Sequence, residues 1–252
     1  MKIKRLFFSI IRLFHRSNDE KEKLLVIHVM KTGGTSFRGM LEDYYGPKMV
    51  FPGSFFLSDF PFGWYPKGDE IVKAYSTLPT HKVLIGHFAA EIAGSLPFKY
   101  RTVTFLRNPI ERSLSMLAHY SKAFNISPED LINDDCFISE HITNYQTKIF
   151  GSRHLSDAKD NTYTDNVFLS TAQRRIRNFD FVGITERFRE SCWLFDKTFS
   201  TRLSFLMRKS NVLRPQGTEL VSLAHRIQPF IRLDCALYKY ALDLFNEKIK
   251  VR

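Results

Sequence analysis

Leu24-Leu25-Val26-Ile27-His28-Val29-Met30-Lys31-Thr32-Gly33-Gly34-Thr35-Ser36 opens as an apolar run and ends in a lysine, a threonine and a pair of glycines. The residues that follow, Phe37, Met40, Leu41 and Tyr44, recur at helical spacing. A buried strand, a glycine turn and a helix start in that order predict a cradle for a phosphate. Glycines let the backbone approach an anion closely, and the first N–H groups of a helix point at it. The helix dipole adds about half a positive charge there. Taken alone, the same residues also suit a tight turn with a solvated lysine. The order differs from the nucleoside-triphosphate loop, where lysine stands after the second glycine and reaches the outer phosphates. Here Lys31 comes first, so its ammonium is expected beside the group attached to the far side of the bound phosphate. A transferable group suits that place.

Outward from this stretch, further apolar runs alternate with helical patterns. Val83 to Ile85, Val103 to Leu106 and Phe179 to Thr185 read as strands. Asn108-Pro109 opens a helix through Ile110, Leu114, Leu117 and Ala118; Phe188, Cys192 and Phe195 mark another; Leu237, Tyr240, Ala241 and Leu244 mark a last one. Continuous apolar strands joined by helices predict an α/β fold with a P-loop-like central parallel sheet flanked by helices. Two stretches break the rhythm. Gly46 to Glu70 crowds Phe51, Phe55, Phe56, Phe60, Phe62, Trp64 and Tyr65 among prolines and glycines, which suits either stacking on a sugar or a small satellite core. Ser156 to Asp165 is polar and reads as an exposed loop.

The chain has 252 residues, 44% of them hydrophobic, which suits one domain over residues 21–252 behind a basic N-terminal segment, residues 1–20. A net charge of +11 favours polyanionic partners. Nucleic acid is disfavoured, because no zinc-finger spacing, basic heptad region or RNA-recognition aromatic signature is present. Cys136, Cys192 and Cys235 form no C-x-x-C pair, which argues against a disulfide framework or a zinc site and for a reducing, cytoplasmic location. Met1 to Arg16 alternates basic and apolar residues, and its longest uncharged stretch, Leu6 to Ile11, is far below the ~20 apolar residues of a membrane span. It suits peripheral contact with the inner face of an anionic membrane, or packing on the domain. Nothing in the sequence decides the oligomeric state.

A second anion corner is expected where Val103-Thr104-Phe105-Leu106 ends at Arg107, with Ser115 eight residues further along the next helix. An always-charged guanidinium and a helix hydroxyl can grip a phosphate, although a strand-end arginine can equally cap carbonyls or pair with Glu111.

The two segments together resemble carbohydrate O-sulfotransferases, and most closely the heparan-sulfate 2-O and 6-O type branch and its bacterial relatives. Ile27 to Phe37 is similar to their 5′-phosphosulfate loop. Thr104 to Ser115 is similar to their 3′-phosphate motif, an arginine, Asp or Asn, a proline, and then arginine and serine at three-residue steps. Phe181 to Phe188, Asn144 to Thr147 and Leu237 to Ala241 support the likeness, which runs over most of residues 22–246. Met30 stands where that family usually has proline. The resemblance implies a sulfotransferase fold, the donor 3′-phosphoadenosine 5′-phosphosulfate, no metal, and a carbohydrate acceptor such as a polysaccharide. It implies that Thr32, Gly33, Gly34, Thr35 and Ser36 hold the 5′-phosphate through N–H groups and hydroxyls. Lys31 would neutralise charge on the departing side, and Arg107 and Ser115 would bind the 3′-phosphate. The acceptor hydroxyl needs a base, and His87, just past the second strand, is placed like the family's catalytic histidine, with Glu91 in reserve. A P-loop kinase and a non-catalytic protein that binds acidic glycans or membrane remain the alternatives; the first wants a glycine-lysine-serine order and a magnesium carboxylate.

Overall fold

Strand β1 (Lys23–Ile27) lies at the centre of a five-stranded sheet in a computed structural model that describes residues 23–51, 81–96, 99–152, 165–207 and 222–250. β3 (Val83–Gly86) pairs with it on one side and β4 (Tyr100–Leu106) on the other. β2 (Val50–Phe51) extends the first side and β5 (Phe181–Ile184) the second, giving the order β2-β3-β1-β4-β5 with every pair parallel. Leu24, Leu25, Val26 and Ile27 are all 3% exposed or less, which explains why the strand reads as an unbroken apolar run: helices flank the sheet. These are α1 (Gly34–Tyr45), α2 (Pro109–Phe124), α3 (Pro128–Asn133), α4 (Tyr145–Gly151), α5 (Asp165–Arg177), α6 (Phe188–Phe199) and α7 (Arg232–Lys250).

The expected α/β class with a parallel sheet is what the structure has, and four of its strands fall within two or three residues of their expected bounds. β1 stops at Ile27 rather than Val29, although the His28 N–H still donates to the Gly86 carbonyl at 2.8 Å. β2 has only two residues, too short to leave a pattern, and it lies at the start of the aromatic stretch. Its Phe51 packs on the main core and against His81, ring centroids 5.1 Å apart. Phe55, Phe56, Phe60, Phe62, Trp64 and Tyr65 lie outside the described residues, as do residues 1–20 and all of the Ser156–Asp165 stretch except Asp165, which opens α5.

Register decides where function can sit. Ile27 is level with Gly86 and Thr104, and Leu106 with Ile184, so four strands end together at one edge. The chain leaves β1 for β2 and β3 on one side and later takes up β4 and β5 on the other. Ligands of open α/β sheets bind where strand order reverses in this way, outside the carboxyl ends. Two apolar clusters hold the frame. The larger surrounds the sheet and includes Phe37, fully buried against Phe105 and Phe195 with centroids 4.8 and 5.3 Å away, which anchors α1. The smaller, built from Leu114, Met116, Leu117, Ile138 and Ile227 among others, takes Met30 against it. A methionine ahead of Lys31 therefore has an apolar seat.

Candidate functional site

The chain between β1 and α1 reverses through two left-handed residues, Lys31 at φ 69° and Gly33 at φ 85°. Glycine adopts this at no steric penalty, whereas a lysine there costs about 1–2 kcal/mol. Gly34 answers a different constraint. A Cβ at that position would lie 1.8 Å from His28 Nε2, because the histidine ring lies against the helix start. Helix α1 begins with no side-chain cap and no acidic residue in its first turn, which leaves its first N–H groups without an intrahelical acceptor. Thr35 is exposed and Ser36 partly so. Thr32 departs from expectation: it is buried, and its hydroxyl donates to the Val29 carbonyl at 2.8 Å. Its hydroxyl holds the turn closed, and only its backbone is offered to an anion.

The second corner is closed to backbone recognition and open to side chains. Asn108 Oδ1 accepts from the Ile110 and Glu111 N–H groups at 3.1 and 3.2 Å, which caps α2 completely enough to remove it as an anion cradle. Arg107, 8% exposed, sends Nη1 to the Lys31 carbonyl at 3.1 Å and Nη2 to Glu111 at 3.4 Å. Both structural roles open to it in the sequence, capping a carbonyl and pairing with Glu111, are thus real. A guanidinium has five N–H groups, and the others have no protein partner among the described residues. Ser115 is buried one helical turn beyond Glu111, on the same face of α2.

Arg112, the second arginine of the Thr104 to Ser115 motif, given no role from the sequence, is wholly buried. Its Nε donates to the Met30 carbonyl at 3.2 Å, Nη1 to the His141 carbonyl, and its Cζ lies 3.9 Å from the Tyr145 ring centre, while Nη2 has no partner among the described residues. Burial brings its pKa down to about 10. Burial, then Arg107 and Arg112, also lower the Lys31 ammonium. Three cations therefore converge where the two corners meet, partly stripped of water, a potential that favours a bound anion.

On the other side of β1, His87 follows β3 directly. Its Nδ1 bonds the His28 carbonyl, and its ring stacks on that of His28 with centroids 4.3 Å apart. Burial lowers the imidazole to about 4, against the raising effect of that bond, with Arg38 and Arg112 adding to the lowering. Arg38, itself buried, donates to the Ile85 carbonyl at 3.1 Å. A carbonyl can only accept, so the proton sits on Nδ1 and the lone pair on Nε2. His87 is thus held neutral, with Nδ1 as its donor. Since the His28 ring covers Gly34, His87 reaches the α1 start through one intervening ring. Glu91 goes elsewhere: it pairs with Arg175 at 3.7 Å.

Two supports come from the far end of the chain. Gln146 clasps Arg107 by its backbone, accepting from its N–H at 3.1 Å and donating to its carbonyl at 2.8 Å. The buried Asp234 carboxylate in turn caps α4, accepting from Gln146 N at 3.1 Å and from Thr147 N and Oγ1 at 2.7 Å each. At the end of β5, the Thr185 hydroxyl lies 2.8 Å from the Thr32 carbonyl and 3.0 Å from that of Leu106.

No family model matches the chain. In sequence it is similar to heparan-sulfate 6-O-sulfotransferase 2 of Danio rerio, 25% identical over 291 residues that take in 94% of this chain and 60% of that protein. Heparan-sulfate 6-O-sulfotransferase 2 of Homo sapiens is 24% identical over 277 residues, 89% of this chain and 45% of its own length. Heparan-sulfate 6-O-sulfotransferase 3 of Homo sapiens is 30% identical over 95 residues, 37% of this chain and 19% of that one. The chain thus spans 60% or less of the length of these relatives. Among solved structures, a sulfotransferase from Alicyclobacillus acidocaldarius matches with a TM-score of 0.47 at 15% identity, over 86% of this chain and 96% of that one.

Proposed function

We propose, from the premise that this chain is a sulfotransferase relative, that it transfers a sulfonyl group from 3′-phosphoadenosine 5′-phosphosulfate to a carbohydrate hydroxyl. One observation carries the reading: Arg107 bonds the carbonyl of the desolvated Lys31, three residues ahead of the uncapped start of α1. A cradle for one phosphate and a cation for a second are then neighbours, as a nucleotide with phosphates on both 5′ and 3′ oxygens requires. The residues fit such a donor. The N–H groups of Gly34, Thr35 and Ser36 would take the 5′-phosphate, and the unpaired Nη2 of Arg112 adds buried positive charge beneath them. The remaining N–H groups of Arg107, with the Ser115 hydroxyl, would take the 3′-phosphate.

When bound, the donor supplies an activated sulfonyl group and regains negative charge on its 5′-phosphate. Lys31 and the α1 N–H groups are already in place for that charge, so little reorganisation is needed as it develops. His87 Nε2 takes the proton of the attacking hydroxyl, with the ring held in the right tautomer by the His28 carbonyl. The imidazolium formed then returns its proton to solvent.

A thermal-shift comparison tests the donor. Adenosine 3′,5′-bisphosphate should stabilise the protein, by about 2.7 kcal/mol at a hundred times its dissociation constant. Stabilisation by ATP with magnesium instead would favour a kinase, and by heparin alone a glycan-binding protein. Transfer of radiolabelled sulfate to a panel of polysaccharides then identifies the acceptor. Lys31→Ala should lower turnover by ~10²-fold or more, as loss of one preorganised donor does; unchanged turnover would remove Lys31 from the chemistry.

A further inference from the structure

Thr185 is the first residue beyond β5, a strand to which neither anion corner belongs. Its hydroxyl nevertheless reaches both. The Thr32 carbonyl, 2.8 Å away, is part of the turn that opens α1, and the Leu106 carbonyl, 3.0 Å away, ends β4 immediately before Arg107. One hydroxyl has one proton, which the two carbonyls share. The Thr185 methyl lies 3.7 Å from where a side chain on Gly33 would begin, so the same residue also backs the turn by contact. The next residue, Glu186, accepts from the Asn108 N–H at 2.8 Å and from the Tyr238 hydroxyl at 2.9 Å, which fixes the second corner once more.

We propose that Thr185 is a positioning residue that sets the spacing between the two anion corners, so that a nucleotide with two phosphates gains from both at once. The inference rests on the donor reading above. Two sites held at fixed separation bind a two-headed ligand as a chelate, because engaging the first phosphate brings the second to its site at high effective concentration. If the spacing wanders, each corner still binds its own phosphate and only the joint gain is lost.

The test is calorimetric titration of the full chain, and of Thr185→Val and Thr185→Ser, with adenosine 5′-monophosphate, adenosine 3′-monophosphate and adenosine 3′,5′-bisphosphate. Valine keeps the shape and removes the hydroxyl. Thr185→Val should lower affinity for the bisphosphate by about tenfold, the net worth of one hydrogen bond, with both monophosphates within about twofold of wild type. Thr185→Ser should restore the bisphosphate affinity. A loss equal for all three nucleotides, or no loss for the bisphosphate, overturns the role of Thr185 and leaves the donor reading standing. A wild-type protein that gains nothing from the second phosphate overturns the donor reading and this proposal with it. Should the valine variant not fold, Thr185→Ala, which removes the hydroxyl without a branched side chain against Gly33, is held to the same outcomes.

Discussion

His87, the base of the proposed reaction, shows how position reshapes an ordinary side chain. Its imidazole titrates near 4 because charging it would place a cation in a poorly hydrated corner near Arg38 and Arg112. On the proposed mechanism the neutral form is the reactive one, so acid should inactivate, and the acid limb of kcat/KM should fall closer to pH 4 than to 6.5. Bound phosphates favour the charged imidazolium, so the limb of kcat should lie higher than that of kcat/KM. A limb at 6.5 in both profiles would contradict the burial described. The same shift has a stability consequence. The folded pKa lies below the unfolded value, so the contribution is complete above pH 6.5 and is lost as pH falls toward 4. His87→Gln should remove a dependence of roughly 3 kcal/mol over that window, read by urea denaturation. The residues of the first corner were legible because the chemistry there is local. Lys31, Gly33 and Gly34 sit within one turn, and each has a conformational or electrostatic reason visible in a short window. The inward hydroxyl of Thr32 was not, since nothing in its neighbours says which way it turns.

Among the elements, the starts of α1, α2 and α4 make an instructive contrast. α1 is left uncapped, α2 is capped by Asn108 beside it, and α4 is capped by Asp234, which stands on α7. A local cap is visible in sequence as Asn-Pro before an apolar face. A cap supplied from 87 residues away is not, and a buried aspartate inside an amphipathic helix reads only as an exception to its pattern. Asp234→Ala should leave three donors without an acceptor and cost about 3 kcal/mol or more, measured by chemical denaturation. Because Gln146 is one of those donors and also clasps Arg107, affinity for adenosine 3′,5′-bisphosphate should fall as well. Intact ligand affinity in a destabilised variant would show that α4 and the second corner are independent. The strands illustrate the other side of legibility. Runs buried on both faces announce themselves, whereas two-residue β2 depends on β3 for its existence and carries no pattern of its own.

At the level of the molecule, the sheet order explains why segments 76 residues apart meet. Reversal at β1 puts the loop after β1 between the ends of β3 and β4, so His87 and Arg107 flank it from opposite sides. The alternation of strand and helix predicted a parallel sheet but not that order, because pairing partners are chosen by three-dimensional packing that no single window contains. Arg107→Ala tests the junction. It should weaken binding of adenosine 3′,5′-bisphosphate by ~10- to 100-fold, as loss of charge-assisted hydrogen bonds does, with a smaller loss for adenosine 5′-monophosphate that reflects the missing bond to the Lys31 carbonyl. Equal losses would mean that Arg107 serves only as a strut.

The buried Arg112, whose Nη2 has no partner among the described residues, also bears on the protein at rest. Three mutually repelling cations near an uncapped helix terminus should draw small dianions to this end of the sheet. The protein's apparent robustness should therefore track the buffer: firm in sulfate or phosphate, softer in chloride, with inorganic ions competing weakly for the proposed donor site. Kinetic constants gathered in different salts will not be interchangeable until that background occupancy is subtracted.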